Sequence, residues 1–396
     1  MPCGRRHEPR ERSRLTMRGC ERVRALCRGE GAQAAPGERP GPGGDFREQR
    51  RFVLGAVAGT IAVVAAVGSF NALIDPYGFV GTAVFPTAIL SDRSTKACLA
   101  ERLRTPPRLV VYGSSRAMKV EPAFLQRRTG LASFNAAVSS ATPADAWAFA
   151  NFMRDRFPSQ SQRVLWLVDV ESFRPRPIDS GLLETPALAR YFSAKARAGA
   201  TLASLSALLS WHTAEDSLRL ATSERASAAT RVACTYRTNG VTEYTPDGFR
   251  AWDFHDRTRS RGIGLRAGLD LTIGEYSSIY RNEYPALSDV AKRRFERTLA
   301  LMSASGTRPL LVLTPVHPRL LRVIGPLGWN RRHAEVVRYL MGLRSRFRFD
   351  LLDASRIARF GGRPRDFYDG VHLTEPNVRR LLDWALGSAR GSLPRA

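Results

Sequence analysis

Short apolar runs alternate with amphipathic segments in two parts of the chain, at about residues 109–170 and 288–386. The apolar runs predict strands at Leu109–Tyr112, Ala132–Asn135, Val164–Val170, Pro309–Leu313 and Phe349–Leu352. Apolar residues at helical spacing predict helices at Glu121–Thr129, Ala144–Phe157, Ser288–Ser305, residues 332–347 and Pro376–Leu386. Strands that alternate with helices in this way predict an α/β fold, with a parallel sheet covered on both faces.

The alternation stops between residues 171 and 285, which we interpret as an insertion. The segment Pro186–Thr230 is rich in Ala, Ser and Leu, and we expect it to be helical. The segment Cys234–Ile273 is polar and contains the aromatic residues Tyr236, Tyr244, Phe249, Trp252 and Phe254. These residues could shape a substrate surface, or they could be structural aromatics of a loop-rich cap.

Phe52–Ile74 is a run of 23 residues without a charge. About 20 apolar residues span a bilayer as a helix, whereas the apolar part of a cleaved signal peptide has about 7–15, so we favour an uncleaved anchor. Arg47, Arg50 and Arg51 flank its N-terminal side and predict a cytoplasmic N-terminus, with the rest of the chain outside. Residues 1–51 resemble a disordered tail in composition, and Met17 is an alternative start.

After the span, Asp75-Pro76-Tyr77-Gly78 predicts a turn, and residues 79–107 show little periodicity. We therefore expect one extracytoplasmic domain over residues 75–396. The net charge of +25 is carried mostly by Arg, and no zinc-finger or RNA-binding signature accompanies it. Nucleic acid is thus not an expected partner, but the charge suits an anionic membrane surface or an acidic polymer.

The five cysteines form no Cys-x-x-Cys pair, so the sequence predicts no metal or redox motif. Cys98 and Cys234 could form a disulfide in an oxidising compartment or remain free thiols. His212, His255 and His333 lack the spacing of metal ligands, and no cofactor is expected.

Gly113-Ser114-Ser115 follows the first predicted strand and precedes a helix. This order puts a serine at the carboxyl edge of the sheet, where open α/β folds bind ligands. The simpler interpretation is a serine that caps a helix. Asp369-Gly370-Val371-His372 lies before the terminal helix and can bring a carboxylate onto an imidazole at the same edge. Such a pair can activate a serine hydroxyl as a nucleophile.

With these two motifs in the order described, the chain resembles the SGNH (GDSL-like) hydrolase superfamily, and within it the membrane-anchored branch that acts on cell-envelope polymers. The resemblance implies a three-layer α/β/α, flavodoxin-like parallel sheet. It places the nucleophile at Ser115, the third residue of the Gly-Ser-Ser block, and the remaining triad residues at Asp369 and His372. Ser114 is then a structural hydroxyl.

The chain departs from this family at two positions of the oxyanion site. Ser140 stands where the family has a glycine that offers its backbone N–H. The third strand is followed by Asp169 and Glu171, where the family has an asparagine side chain. A carboxylate would repel an oxyanion, so we expect the oxyanion hole to use the N–H groups of Ser115 and Ser140, or Arg116.

Two further residues are candidates for substrate contact. Arg116 follows the nucleophile and could bind an anionic group or anchor the loop. His317 ends a central strand in Thr314-Pro315-Val316-His317-Pro318 and could face substrate or serve as a structural turn residue.

The sequence and the resemblance together predict a single-pass protein of the inner membrane with its catalytic domain outside the cytoplasm. The expected activity is that of a serine esterase or O-acyltransferase, with acetyl as the group moved and an envelope or exported polysaccharide as the polymer. The alternative is a weakly active or inactive scaffold, or a polysaccharide-binding subunit of an envelope export complex.

Overall fold

The computed structural model describes residues 45–77, 80, 84–85, 91–158, 161–222, 234, 237–238, 241–251, 256, 264–389 and 393. The predicted tail before residue 45, with Cys3, Cys20 and Cys27, lies outside the described residues. So do Gly78 and the aromatic residues Tyr236, Trp252 and Phe254 of the insertion. The chain divides into two compact units, residues 1–61 and 62–396.

The second unit is built on a five-stranded, all-parallel sheet, which confirms the predicted α/β class. Its strands are β1 (Leu109–Tyr112), β2 (Ser133–Asn135), β3 (Arg163–Val168), β6 (Leu310–Leu313) and β7 (Asp350–Asp353). Their order in the sheet is β2-β1-β3-β6-β7. A separate antiparallel pair in the insertion consists of β4 (Arg237–Thr238) and β5 (Val241–Thr242).

The five helices predicted outside the insertion are all present, together with two that were not predicted, Asp92–Glu101 and Pro318–Ile324. The helices of the chain are α1 (Asp45–Ile74), α2 (Asp92–Glu101), α3 (Pro122–Thr129), α4 (Pro143–Arg156), α5 (Ser180–Leu183), α6 (Pro186–Ala189), α7 (Ala194–Leu208), α8 (Trp211–Ala221), α9 (Leu265–Ser278), α10 (Asp289–Ala304), α11 (Pro318–Ile324), α12 (Asn330–Leu343) and α13 (Glu375–Ser388). Helices α6–α8 confirm the helical part of Pro186–Thr230 up to residue 222, and residues 223–230 lie outside the described part.

The centre of the sheet is buried on both faces. Every residue of β1 and β6 is buried. The sequence of each strand is therefore a continuous apolar run, without alternating polar residues. Helices α4 and α10 pack against each other. A capping box at Thr142 and Asp145 starts α4, and Arg93 of α2 binds Asp145 at 2.7 Å. Chain segments that follow the carboxyl ends of these strands are therefore held on a rigid support.

Helix α2 was not predicted, because residues 79–107 show little periodicity. It begins after the N-cap Ser91, and its buried residues include the polar side chains Arg93, Thr95 and Lys96. Polar residues on the buried face remove the alternation between apolar and polar positions on which the prediction depended.

Helix α1 begins at Asp45, seven residues before the predicted span, so residues 45–51 are helical where a disordered tail was expected. Phe46–Ile74 is long and apolar enough to cross a membrane, and none of its apolar window is buried. Within the second unit, the last turn of α1 is fixed by Asn71 Nδ2, which donates to Leu208 O at 2.6 Å. Asp75 then takes a φ of 47° in the turn that was predicted there.

Cys98 and Cys234 form a disulfide with a Cα–Cα distance of 5.6 Å. It joins α2 to the insertion. Of the two alternatives that the sequence allows, the structure shows the disulfide and not two free thiols.

Candidate active site

The nucleophile candidate lies in a tight turn at the carboxyl end of β1. Gly113 has a φ of +152°, and a Cβ there would lie 2.7 Å from Ala117 Cβ and 2.9 Å from Leu167 O. Only glycine fits this position, because any side chain would collide with the neighbouring strand. Ser115 then begins a 3₁₀ turn, Ser115–Ala117, in which Ser114 is the N-cap residue. We call residues 113–117 the nucleophile turn. The hydroxyl of Ser114 accepts the N–H of Arg116 at 3.3 Å, as expected of a structural serine.

Asp369 and His372 come together in the loop before α13. Asp369 Oδ1 accepts the N–H groups of Val371 and His372, each at 2.8 Å, so the carboxylate is held by its own loop. Its other oxygen, Oδ2, lies 2.7 Å from His372 Nδ1. A hydrogen bond of 2.8 Å from Tyr368 N–H to His372 O closes the loop. We call residues 369–372 the Asp-His loop.

The structure brings the three predicted residues into one hydrogen-bonded chain. His372 Nε2 lies 2.8 Å from Ser115 Oγ, although the two residues are 257 positions apart in sequence. We assign the proton on Nδ1 from this geometry, because the carboxylate of Asp369 can only accept it. Nε2 then carries no proton and can accept the hydroxyl proton of Ser115, which is the arrangement of a nucleophilic serine with its base and orienting acid.

His317, the N-cap residue of α11, contacts the Asp-His loop. Its backbone N–H donates to Gly370 O at 2.9 Å, and its ring meets Phe367 edge-on at 5.2 Å. Its Nδ1 accepts the N–H of Arg319 at 3.1 Å, so this nitrogen carries no proton. Burial lowers the pKa of His317, in keeping with a neutral ring. The side chain is 6% exposed, so the geometry supports the structural alternative rather than substrate contact.

Arg116 is likewise turned inward. It is 6% exposed, and its guanidinium donates to Thr314 Oγ1 at 2.8 Å and to Tyr276 OH at 2.7 Å. It also binds Glu171 Oε2 at 2.9 Å and lies 3.7 Å from Asp169 Oδ1. Burial acts to lower the pKa of Arg116, but these partners outweigh it and raise the pKa well above the usual value. Of the two alternatives for Arg116, the geometry supports the anchor of the nucleophile turn.

The same contacts account for the two carboxylates that stand where an asparagine was expected. Asp169 Oδ1 accepts the hydroxyl of Thr314 at 2.7 Å, and Glu171 accepts the hydroxyl of Tyr280. Both carboxylates therefore share the charge of Arg116 within one buried network, which we call the Arg116 cluster (Arg116, Asp169, Glu171, Tyr276, Tyr280 and Thr314). One guanidinium faces two carboxylates, so Arg116 and the hydroxyls of Thr314 and Tyr280 offset only part of their negative charge.

The backbone around Ser140 has the shape that a glycine would give it. Ser140 has a φ of 52°, in the left-handed region, and its side chain is exposed. The adjacent Ser139 N–H donates to Asp92 Oδ2 at 3.0 Å, which fixes this turn to α2. In the described part of the chain, neither the N–H of Ser115 nor that of Ser140 donates to a protein acceptor.

Sequence reasoning gave no role to Asn135 or Lys96. Asn135 bonds to the backbone at and after the nucleophile turn, and Lys96 bonds to Asn135. Asn135 is fully buried at the end of β2, and its Nδ2 donates to Ala117 O at 2.9 Å and Val120 O at 2.8 Å. Lys96 Nζ, also fully buried, donates to Asn135 O at 2.7 Å and to Gly248 O. The signal for Asn135 was its place at the end of a strand next to β1. Lys96 had no such signal, because α2 itself was not predicted.

The described residues contain no group of three or more His, Cys, Asp or Glu side chains arranged to hold a metal ion. Searches of the chain against models of known protein families and against curated protein sequences give no match.

Proposed function

We propose that this protein is a membrane-anchored serine esterase or O-acyltransferase of the SGNH type, acting on ester groups of cell-envelope or exported polysaccharide. The observation that carries the proposal is the hydrogen-bonded chain Ser115–His372–Asp369, with distances of 2.8 and 2.7 Å. It links two segments from opposite ends of the domain, so chance proximity of local residues does not explain it.

The fold supports the same proposal. Without the small antiparallel pair, the strand order is 2-1-3-4-5, which is the order of flavodoxin-like, doubly wound sheets. Right-handed crossovers in this order put helices on both faces, which fits the expected three-layer arrangement. Ser115 and the Asp-His loop follow the carboxyl ends of β1 and β7, at the edge where such sheets bind ligands.

In the proposed reaction, Ser115 Oγ attacks the ester carbonyl carbon while its proton passes to His372 Nε2. Collapse of the tetrahedral intermediate breaks the ester bond, and His372 returns the proton to the leaving alcohol. Water or a sugar hydroxyl then gives its proton to His372 and attacks the acyl carbon. The bond from that carbon to Ser115 Oγ breaks, and His372 returns the proton to Oγ. Asp369 stabilises the imidazolium that forms twice in the cycle.

The negative oxygen of the intermediate needs donors, and each good donor is worth about 2.7–4 kcal/mol of transition-state stabilisation. We assign this role to the backbone N–H groups of Ser115 and Ser140, which have no protein acceptor in the described part of the chain. The side-chain amide of the expected asparagine has no counterpart at Asp169 or Glu171, which are engaged by Arg116.

The proposed location is the outer side of the inner membrane, with α1 as a single-pass anchor and the N-terminus in the cytoplasm. Arg47, Arg50 and Arg51 on the N-terminal side of the apolar run support this orientation. The Cys98–Cys234 disulfide is of the kind that forms in oxidising compartments.

A fluorescent fluorophosphonate tests the proposal on the full-length chain in detergent. We expect covalent labelling of the wild-type protein, loss of the label in Ser115→Ala, and retention in Ser114→Ala. Labelling that persists in Ser115→Ala would show that another residue is the nucleophile.

The second candidate is a non-catalytic polysaccharide-binding subunit of an envelope complex. The absence of an asparagine donor in the oxyanion site is the observation that favours it, since a weak oxyanion hole slows the chemical step. The same experiment separates the two candidates, because a folded wild-type protein that takes up no label fits only the second.

A further inference from the structure

A cavity of about 380 Å³ lies beside the proposed catalytic residues, a volume within the range of about 300–1,000 Å³ that ligand pockets have. One wall contains Lys119, four residues after Ser115, and another contains Tyr368, which precedes the Asp-His loop. Because a chain spans at most about 3.6 Å per residue, the Cα of Lys119 is within about 14 Å of that of Ser115. A polymer held here can therefore present an ester to the nucleophile.

Aromatic rings and polar groups are combined in this cavity. Phe124, Phe249 and Tyr368 contribute the rings. Tyr368 OH donates to Asp256 Oδ1 at 2.7 Å, Lys119 binds the same carboxylate, and the Lys119 ammonium lies 5.9 Å from the centre of the Tyr368 ring. Rings that are held beside charged groups offer both flat apolar surfaces and hydrogen-bonding partners.

The charges of the lining restrict the ligand class. The basic side chains are Lys119 and Arg379, and the acidic ones are Glu121, Asp256 and Glu375, so the formal charge of the lining is negative. An acyl chain would remove these groups from water without replacing their hydrogen bonds. A carboxylated or phosphorylated ligand would meet net repulsion. A neutral sugar fits, since its hydroxyls can donate and accept while its C–H face packs on a ring.

We propose that this cavity binds an uncharged sugar unit of the polymer, next to the ester that Ser115 attacks. The inference rests on the proposed acyl chemistry and narrows it to neutral polysaccharide. This differs from the expectation raised by the net charge of +25, which favours an acidic polymer.

The test compares small esters on the full-length chain in detergent. We would measure kcat/KM for para-nitrophenyl acetate, for penta-O-acetylglucose and for tetra-O-acetylglucuronic acid, which differ in the presence of a sugar and of a carboxylate. Ala251→Trp fills the cavity, and Phe249→Ala removes a ring from it. Ala304→Trp, at an exposed position at the end of α10, is the matched control.

We expect wild-type protein to prefer the glucose ester to the glucuronic acid ester. In Phe249→Ala, the ratio of kcat/KM for the glucose ester to that for para-nitrophenyl acetate should fall about tenfold, the effect of one lost ring contact. In Ala251→Trp, which leaves no room for the sugar, it should fall at least as far. The ratio should not change in Ala304→Trp. Fluorophosphonate labelling of each variant verifies that its site is folded.

An equal or better rate with the glucuronic acid ester, or an unchanged ratio in both cavity variants, would overturn the inference while the proposed function stands. A preference for para-nitrophenyl octanoate over the acetate that Ala251→Trp abolishes would instead identify an acyl-chain pocket and also overturn it. Wild-type protein that reacts with neither para-nitrophenyl acetate nor the fluorophosphonate would remove the proposed function and the inference with it.

Discussion

Asp369 makes more contacts than an orienting acid needs. Its two oxygens accept three N–H groups, two from the backbone of its own loop and one from the His372 ring. The backbone bonds fix the carboxylate before the imidazole binds, so His372 is presented to Ser115 in one orientation. The serine itself is held by the turn at Gly113, which no other residue fits.

Asp369→Asn should therefore disable the site without unfolding it. An amide that donates to His372 Nδ1 selects the tautomer with its proton on Nε2, which cannot accept the proton of Ser115. We expect the rate constant for fluorophosphonate labelling to fall by about 10⁴-fold, as the same change does in other triads. Ser114→Ala is the control, and it should label at a rate near that of the wild type. A rate for Asp369→Asn within tenfold of wild type would exclude an orienting role for Asp369.

Arg116 lies next to the nucleophile in sequence but points into the fold. Replacing it with Met leaves Asp169 and Glu171 buried without their cation. Loss of one partner of a buried ion pair costs about 3–5 kcal/mol, so Arg116→Met should lower the free energy of unfolding by about that amount. Urea titration of the full-length chain measures it.

The control for this change is Arg128→Met, because Arg128 makes an exposed ion pair with Asp383 at 2.7 Å. Exposed pairs contribute about 0–1 kcal/mol, so this variant should unfold almost as the wild type does. If the two variants lose similar stability, the Arg116 cluster does not anchor the nucleophile turn.

At the scale of elements, the sequence predicted the parts of the fold whose interior is apolar. The fully buried β1 was predicted with its exact ends, and α3, α4 and α10 to within one or two residues. Helix α2 was missed, since Lys96 and Arg93 occupy its buried face. The prediction also continued β3 through Asp169 and Val170, whereas the strand ends at Val168 and Asp169 joins the Arg116 cluster. The spacing of apolar residues along the sequence carries no information about such buried polar contacts.

Helix α2 should make stability depend on pH through Lys96. Burial lowers the pKa of Lys96 from 10.5 to about 7, with Asp92, Arg250 and Asp247 as the charged groups around it. Between these values the unfolded chain binds a proton that the folded chain lacks. The stability of wild type relative to Lys96→Met should therefore rise with pH from about 7 to 10.5, by at most about 1.4 kcal/mol per pH unit.

Below pH 7 Lys96 is protonated in both the folded and the unfolded protein. The difference in the free energy of unfolding between wild type and Lys96→Met should therefore be constant there. Thermal unfolding midpoints of both proteins across this range test the sign. If wild type gained no stability relative to Lys96→Met between pH 7 and 10.5, Lys96 would stay charged in the folded protein over that range.

At the scale of the whole molecule, the insertion is joined to the sheet domain by contacts distant in sequence. The Cys98–Cys234 disulfide spans 136 residues, and Lys96 in the same helix donates to Gly248 O. Tyr244 and Arg250 of the insertion both contact Asp92, the first residue of α2. The position of the cavity wall that contains Phe249 and Ala251 thus depends on contacts with α2. Because α2 was not predicted, the sequence could not predict that position either.

Replacing both cysteines with serine should destabilise the domain. Loss of a native disulfide costs about 2–5 kcal/mol, and long loops lie near the upper end. We expect reductant to lower the unfolding midpoint of wild type by a similar amount and to leave the double variant unchanged. A wild-type protein that is insensitive to reductant, with maleimide attached to Cys98 and Cys234 themselves, would contradict the disulfide.

The central claim is that Ser115 carries the acyl group. The most direct measurement is mass spectrometry of the peptide that contains Ser115, after rapid acid quench of the full-length chain with para-nitrophenyl acetate and with cell-envelope extract. We expect an acetyl increment on Ser115 in both samples, absent from Ser115→Ala and retained in Ser114→Ala. An acyl group on any other residue, or release of nitrophenol without a modified Ser115, would contradict the account.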